Sequence, residues 1–352
     1  MKLTTASSQN IRALVSEGEN ALAAGPHPER ARRDAESLLL LLFKRHGTER
    51  NTAWLVANWN NPGSHGDEFR ALIQRRVSGE PIQYITGETE FYGLPFLVTP
   101  DVLIPRPETE HLVEKVIELA ASLQSPRIVD VGTGSGAIAI ALAHALKGHD
   151  FSRATQSPVS TGALAPAGCP PEEPTQAATD KGTVSGHDFS RAAKAPESSR
   201  ALAPEGSSST PITAIDLSAP ALAIARKNAA RNKAAIRFLQ GDLLTPVANE
   251  QFEIVVSNPP YVPEPDRPTL AVEVRDHEPA QALFAGSDGL DICRRLIPQA
   301  FPCLVPGGFL VLEIGYNQSP AIANLLAASG FQSIEFVPDL QQIPRVAIAQ
   351  RP

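Results

Sequence analysis

Ile128-Val129-Asp130-Val131-Gly132-Thr133-Gly134-Ser135-Gly136 reads as a short buried strand running straight into a tight glycine turn. Ala137 to Leu146 continues it as a helix of small residues. Glycine lets the backbone turn sharply and come close to a ligand. The helix start beyond it offers free N–H groups and a partial positive charge. Together these make a candidate cofactor loop of Gly132, Thr133, Gly134, Ser135 and Gly136. Alone it is a weak signal, because a related Gly-x-Gly-x-x-Gly serves dinucleotides and a plain strand-to-helix turn uses glycine too.

Outward from that stretch the rhythm repeats. Ile212 to Ile215 is a strand ending in Asp216, and Pro220 to Asn228 a helix. Ile236 to Leu239 leads to Gly241-Asp242, and Phe252 to Val256 leads to Ser257-Asn258-Pro259-Pro260-Tyr261. A helix over Leu290 to Leu304, Gly307-Gly308 and a strand over Phe309 to Ile314 follow. Such alternation predicts an α/β domain over residues 108–352, a doubly wound, mostly parallel sheet covered on both faces. Its ligands belong beyond the carboxyl ends of the strands. One segment breaks the rhythm. Gly148-His149-Asp150-Phe151-Ser152-Arg153-Ala154 recurs as Gly186-His187-Asp188-Phe189-Ser190-Arg191-Ala192, and Ala163-Leu164-Ala165-Pro166 as Ala201-Leu202-Ala203-Pro204. Residues 148–209 are thus a duplicated, Pro/Ser/Ala/Gly-rich insert, too poor in large apolar side chains to repay the entropy of ordering, and a disordered loop is expected.

Upstream, residues 1–82 read as a small helical domain. Ile11, Leu14, Val15 and Leu22 share one helix face, a second helix opens at Pro28-Glu29 and stops at Gly47, and a third spans Asp67 to Val77. In the third, Phe69, Leu72 and Ile73 are expected inside and Arg70, Arg75 and Arg76 outside. Arg32, Arg33, Arg75 and Arg76 then form a candidate basic docking face, or else ordinary solvated surface. Residues 83–107 change character: two short strands about Gly93 within Glu90 to Val98, and Val102-Leu103-Ile104 as a further extended piece. This hairpin reads as the joint between the two domains.

Composition narrows the function. At 352 residues and 42% hydrophobic content the chain has room for two or three cores. No apolar run approaches the ~18 residues of a spanning helix, and no secretory signal is evident at the start, so a cytoplasmic protein is expected. Cys169, Cys293 and Cys303 lack metal spacing and read as plain thiols, and no metal is expected. A net charge of −7 argues against a grip on nucleic-acid phosphates as the main binding mode.

The chemistry is concentrated at Asn258-Pro259-Pro260-Tyr261. Each proline fixes its own φ and lacks an N–H, so the turn is stiff and leaves carbonyls without local partners. Carbonyls beside the Asn258 carboxamide suit an –NH₂ group, with Tyr261 as a flat lid. A plain Pro-rich strand exit is the alternative, since Asn-Pro starts many turns. Asp216 sits where an acid meets the ribose hydroxyls of a nucleoside cofactor, ~20 residues beyond the glycine loop. The actual interval from Gly136 is 80 residues, reduced to about 18 without the insert. Capping the next helix is its other possible role, which Ser218 can fill instead. Asp242, after the third strand, falls where an adenine amino group would lie.

The glycine loop joined to a distant Asn-Pro-Pro-Tyr resembles the class I S-adenosylmethionine-dependent methyltransferases that act on nitrogens of planar groups. More specifically, Arg32-Arg33-Asp34-Ala35-Glu36, Gly79-Glu80-Pro81-Ile82-Gln83-Tyr84-Ile85, Phe91-Tyr92-Gly93-Leu94 and Leu103-Ile104-Pro105-Arg106-Pro107-Glu108-Thr109-Glu110 resemble the release-factor glutamine methyltransferases (the PrmC/HemK family). So do Glu278-Pro279, Ala282-Leu283, Gly286, Asp288-Gly289-Leu290 and Pro306-Gly307-Gly308. The resemblance implies a Rossmann-like methyltransferase domain behind a helical domain and a β-hairpin. It implies cofactor contacts at Gly132 to Gly136, Asp216, Asp242, Leu243 and Asn258, and a substrate grip at Asn258, Pro259, Pro260 and Tyr261. The implied reaction moves a methyl group from S-adenosylmethionine to the side-chain amide nitrogen of the glutamine in the Gly-Gly-Gln motif of class 1 release factors. A monomer without a nucleic-acid substrate or membrane partner is expected. The insert is foreign to the family pattern, and Leu243 stands where some relatives carry an aromatic residue. The same tetrapeptide also serves N6-adenine and N2-guanine nucleic-acid methyltransferases, the rival activity. A catalytically silent release-factor-docking protein is the rival from another class.

Overall fold

The computed structural model describes residues 9–147, 211–339 and 341–352. The insert expected over 148–209 lies outside the described residues. The N-terminal part packs α1 (Ile11–Ala23), α2 (Ala31–Arg45), α3 (Thr52–Ala57), α4 (Gly66–Val77) and α5 (Ile82–Thr86) around one apolar cluster. The short helices α3 and α5 are additions to the sequence reading. At six and five residues, neither is long enough to repeat the i, i+3, i+4, i+7 pattern by which a helix is read from sequence.

Arg76 corrects the expected docking face. It lies seven residues after Phe69 and so on the same helical stripe as Phe69, Leu72 and Ile73, and all four are buried. Its Nε donates to Asp34 Oδ2 at 2.7 Å, and Asp34 is likewise buried on α2. Arg32 and Arg75 are half-exposed but already paired, with Glu36 and Glu80.

A hairpin follows, β1 (Glu88–Phe91) and β2 (Leu94–Leu97), paired antiparallel with Phe91 opposite Leu94. Its two-residue turn carries positive φ at Tyr92 (+53°) and Gly93 (+70°), the twist that two-residue hairpins prefer. Val102 to Ile104 is not a strand. Val102 N–H donates to the Thr99 carbonyl in a turn, while the Tyr84 hydroxyl donates to the Val102 carbonyl at 2.7 Å.

The second part holds α6 (Thr109–Ala121), β3 (Ile128–Val131), α7 (Ala137–Ala145), β4 (Ile212–Asp216), α8 (Ala219–Arg231), β5 (Arg237–Gln240), β6 (Phe252–Ser257), α9 (Val272–His277), α10 (Asp291–Cys303), β7 (Leu304–Glu313), α11 (Ser319–Ala328), β8 (Gln332–Pro338) and β9 (Pro344–Gln350). Among the described residues they form a seven-stranded sheet in the order β5-β4-β3-β6-β7-β9-β8. The five strands from β5 to β7 run parallel; β9 pairs antiparallel with both β7 and β8. All four residues of β3 are buried, as a strand covered on both faces requires. One apolar cluster fills the face under α6 and α7, and the other the face under α10 and α11. Consecutive strands diverge from β3, to β4 on one side and β6 on the other. A crevice therefore opens beyond the carboxyl ends of the strands, at the point where the order reverses.

Asn228 of α8 ties this crevice to the hairpin. Fully buried, it accepts from Leu97 N–H at 2.7 Å and donates to the carbonyls of Leu97 and Ser135 at 3.0 and 2.9 Å.

Candidate active site

The cleft lies between the loops after β3, β4, β5 and β6, closed on one side by Val102 and Leu103 and on the other by α10. Gly132 and Gly134 line it with φ of +75° and +55°, and a Cβ on either would meet nothing within 4 Å. Backbone conformation demands glycine there, and the open space beside both is the cleft itself. Gly136 differs, because a Cβ on it would come 3.3 Å from Ala225 Cβ; it lets α7 and α8 approach.

Asp216, at the tip of β4, accepts from Gly134 N–H and Ser218 N–H, one per carboxylate oxygen, both at 2.8 Å. Burial pushes its pKa up and these backbone donors oppose the rise. The helix that follows is capped by Ser218, whose Oγ accepts from Ala221 N–H. Asp216 is thus held on the loop with lone pairs to spare for a ribose diol. Asp242 and Leu243 line the far wall, Asp242 paired with Arg295 of α10 and Leu243 in a left-handed turn at φ +51°. Leu217 offers a side chain 61% exposed at the same cleft. Backbone donors, an acid and apolar walls in this order fit the adenosine half of S-adenosylmethionine.

Across the cleft, β6 ends in Ser257, whose hydroxyl donates to the Val131 carbonyl at 2.7 Å and locks β6 to β3. Asn258 and Pro260 line the cleft. Asn258 Nδ2 donates to Thr109 Oγ1 at 3.0 Å, and Thr109 Oγ1 donates to Glu313 Oε2 at 2.7 Å. The Tyr261 hydroxyl donates to the other Glu313 oxygen at 3.3 Å. Glu313 is buried at the end of β7, and that burial pushes its pKa up to about 7 although both hydroxyls favour the charged form. Burial first, then the Glu313 charge, raises the Tyr261 phenol as well. Behind Tyr261, a Cβ on Gly289 would lie 2.2 Å from the Tyr261 carbonyl oxygen, and Gln318 Nε2 donates to that oxygen at 3.0 Å.

The expected residues fall in two groups. Gly132, Gly134, Asp216, Asp242, Leu243, Asn258 and Pro260 line one cleft. Thr133, Ser135, Gly136, Pro259 and Tyr261 do not line it. The Thr133 hydroxyl donates to the buried Asp130 at 2.6 Å, and burial pushes the Asp130 pKa up to about 7. Leu217, Arg295, Val102, Leu103, Thr109 and Glu313 are additions. Leu217 is legible in the sequence, since it stands between Asp216 and the Ser218 cap. Nothing in local sequence places Glu313 beside Tyr261, 52 positions away, or Arg295 beside Asp242, 53 away.

Residues 13–87 match the family model described as PrmC N-terminal domain, and residues 199–275 that described as Methyltransferase small domain. The chain is 38% identical to a release factor glutamine methyltransferase of Koribacter versatilis, over 81% of this chain and 79% of that one. Identity is 37% to the protein so named in Neisseria gonorrhoeae, over 81% and 83%. The relative in Moorella thermoacetica is 34% identical over 97% and 98%. At that identity and coverage, the chain belongs to the release factor glutamine methyltransferase family.

Proposed function

We propose that this protein is a cytoplasmic, monomeric enzyme that methylates the side-chain amide nitrogen of the glutamine in the Gly-Gly-Gln motif of class 1 release factors, with S-adenosylmethionine as donor. Bound in the cleft, the cofactor supplies an electrophilic methyl group on a sulfonium. The protein's own task is harder, because an amide nitrogen is a poor nucleophile whose lone pair is delocalised into its carbonyl. Asn258 Oδ1 and the Pro259 carbonyl accept the two N–H bonds of the glutamine, orient the nitrogen and favour its loss of planarity. Tyr261 stacks on the amide face. The rate then comes from orientation and fixed dipoles, without a strong base.

One observation carries this reading. Asn258 lines the cleft with its nitrogen spent on Thr109, so that among the described residues its Oδ1 has no partner of its own. Gly132, Thr133, Gly134, Ser135, Gly136, Asp216, Asp242 and Leu243 serve the cofactor in this reading, by direct contact or by shaping the loop. Mass spectrometry of an unmethylated release factor after incubation with protein and S-adenosylmethionine is expected to find one added methyl on the Gly-Gly-Gln peptide. Methyl label on DNA or RNA offered in the same tube, with the release factor unlabelled, would overturn the reading.

A further inference from the structure

We infer that Thr109 and Glu313 are positioning residues that set the polarity of the Asn258 amide and so choose which of its atoms meets the substrate. The inference rests on the methyl-transfer reading above. Thr109 is the first residue of α6 and Glu313 the last of β7, both buried, and they converge on the turn after β6. Two elements distant from it in sequence thus each spend a polar side chain on one turn.

The polarity follows from counting protons. A threonine hydroxyl has one proton and two lone pairs. With Glu313 ionised, its oxygens can only accept, so Thr109 gives its proton to Oε2 at 2.7 Å and only lone pairs remain for Asn258. The Asn258 group facing it at 3.0 Å must therefore be the NH₂. Turned over, the amide would set Oδ1 against Thr109 lone pairs and present an NH₂ donor to an incoming NH₂ group, which cannot use it. Glu313 also accepts from Tyr261 at 3.3 Å, so one carboxylate holds the Tyr261 end of the turn directly and the Asn258 end through Thr109. Packing alone does not call for a carboxylate here. The preceding β7 residues Leu310, Val311 and Leu312 are apolar and buried, and burying a charge is costly unless hydrogen bonds compensate.

Thr109→Val keeps the side-chain shape and removes the hydroxyl; Thr109→Ser keeps the hydroxyl. For Thr109→Val, kcat is expected to fall ~10- to 100-fold, in line with the cost of misplaced reacting groups, with the cofactor Kd and the release-factor KM within about threefold of wild type. Thr109→Ser is expected to stay within about threefold throughout, because it can still relay the hydrogen bond. Equal kcat in Thr109→Val and wild type, or an equal fall in both variants, would overturn the inference. A second readout needs no turnover. The Asn258 side-chain NH₂, followed by nitrogen-edited NMR without substrate, should exchange with solvent several-fold faster in Thr109→Val than in wild type or Thr109→Ser. Equal exchange in all three would overturn the inference. Slow exchange in wild type and Thr109→Ser but not in Thr109→Val, with no release factor methylated by any of them, would support the positioning and sink the reading of function.

Discussion

In the proposed reaction, the part assigned to Asn258 rests on the orientation of one carboxamide. Its backbone comes from the end of β6, its amide plane from Thr109, and its place at the cleft from Ser257 holding β6 against β3. Asn258→Ala removes the acceptor while leaving the glycine loop and Asp216 untouched. Turnover is expected to fall by at least ~10²-fold while the cofactor Kd stays within about threefold, the pattern of a group that acts on the reacting nitrogen. Single-turnover kinetics and calorimetric titration separate the two quantities, and an equal loss of both would make Asn258 a structural residue. The Asn-Pro-Pro-Tyr motif was plain in the sequence because stiffness and acceptor chemistry are local properties of those four residues. Its supports were not. Glu313 reads in sequence as a charge that ends an apolar strand, and only the convergence of α6, β6 and β7 gives it two hydroxyls to accept.

At the level of elements, the connection after β6 is held from two sides. The helix α9 carries Glu273, which pairs with Arg76 of the helical part, and His27 Nε2 lies 3.0 Å from the same carboxylate. Glu278, just beyond α9, is buried against Arg106. The segment that leaves the Asn-Pro-Pro-Tyr turn is therefore clamped to the N-terminal helices and to the Ile-Pro-Arg-Pro run. Arg76 is central to this clamp, with a side chain 2% exposed and carboxylates on two separate elements. Removing one partner of a buried ion pair strands the others without compensation. Arg76→Ala is expected to cost ~3–5 kcal/mol of stability, measured by chemical denaturation. A loss below about 1 kcal/mol would show that the pairing is solvated in solution. The phase of α4 already placed Arg76 on the apolar stripe, one heptad after Phe69. Its charge alone argues for the surface, and its position for the core.

On the scale of the whole molecule, the repeat Gly-His-Asp-Phe-Ser-Arg-Ala marks residues 148–209 as additional to the strand–helix rhythm, between α7 and β4. The cost of loop closure grows slowly with length, ~0.6 kcal/mol per doubling, so removing residues 150–207 is expected to leave methyl transfer within about threefold and thermal stability little changed. An inactive but folded deletion, judged by circular dichroism and initial rates, would give that segment a part in the site.

The strand–helix alternation from β3 to β7, the glycine loop, Asp216 at the tip of β4 and the Asn-Pro-Pro-Tyr turn were determined by the sequence alone, because each depends on residues within one turn or strand of one another. The tertiary structure decided the antiparallel edge of β8 and β9, the inward turn of Arg76 and the hydroxyl–carboxylate support of Asn258. Each of these is a contact between segments far apart in the chain. Such contacts are set by which faces the sheet and helices bury against one another, and no local window of sequence contains that choice.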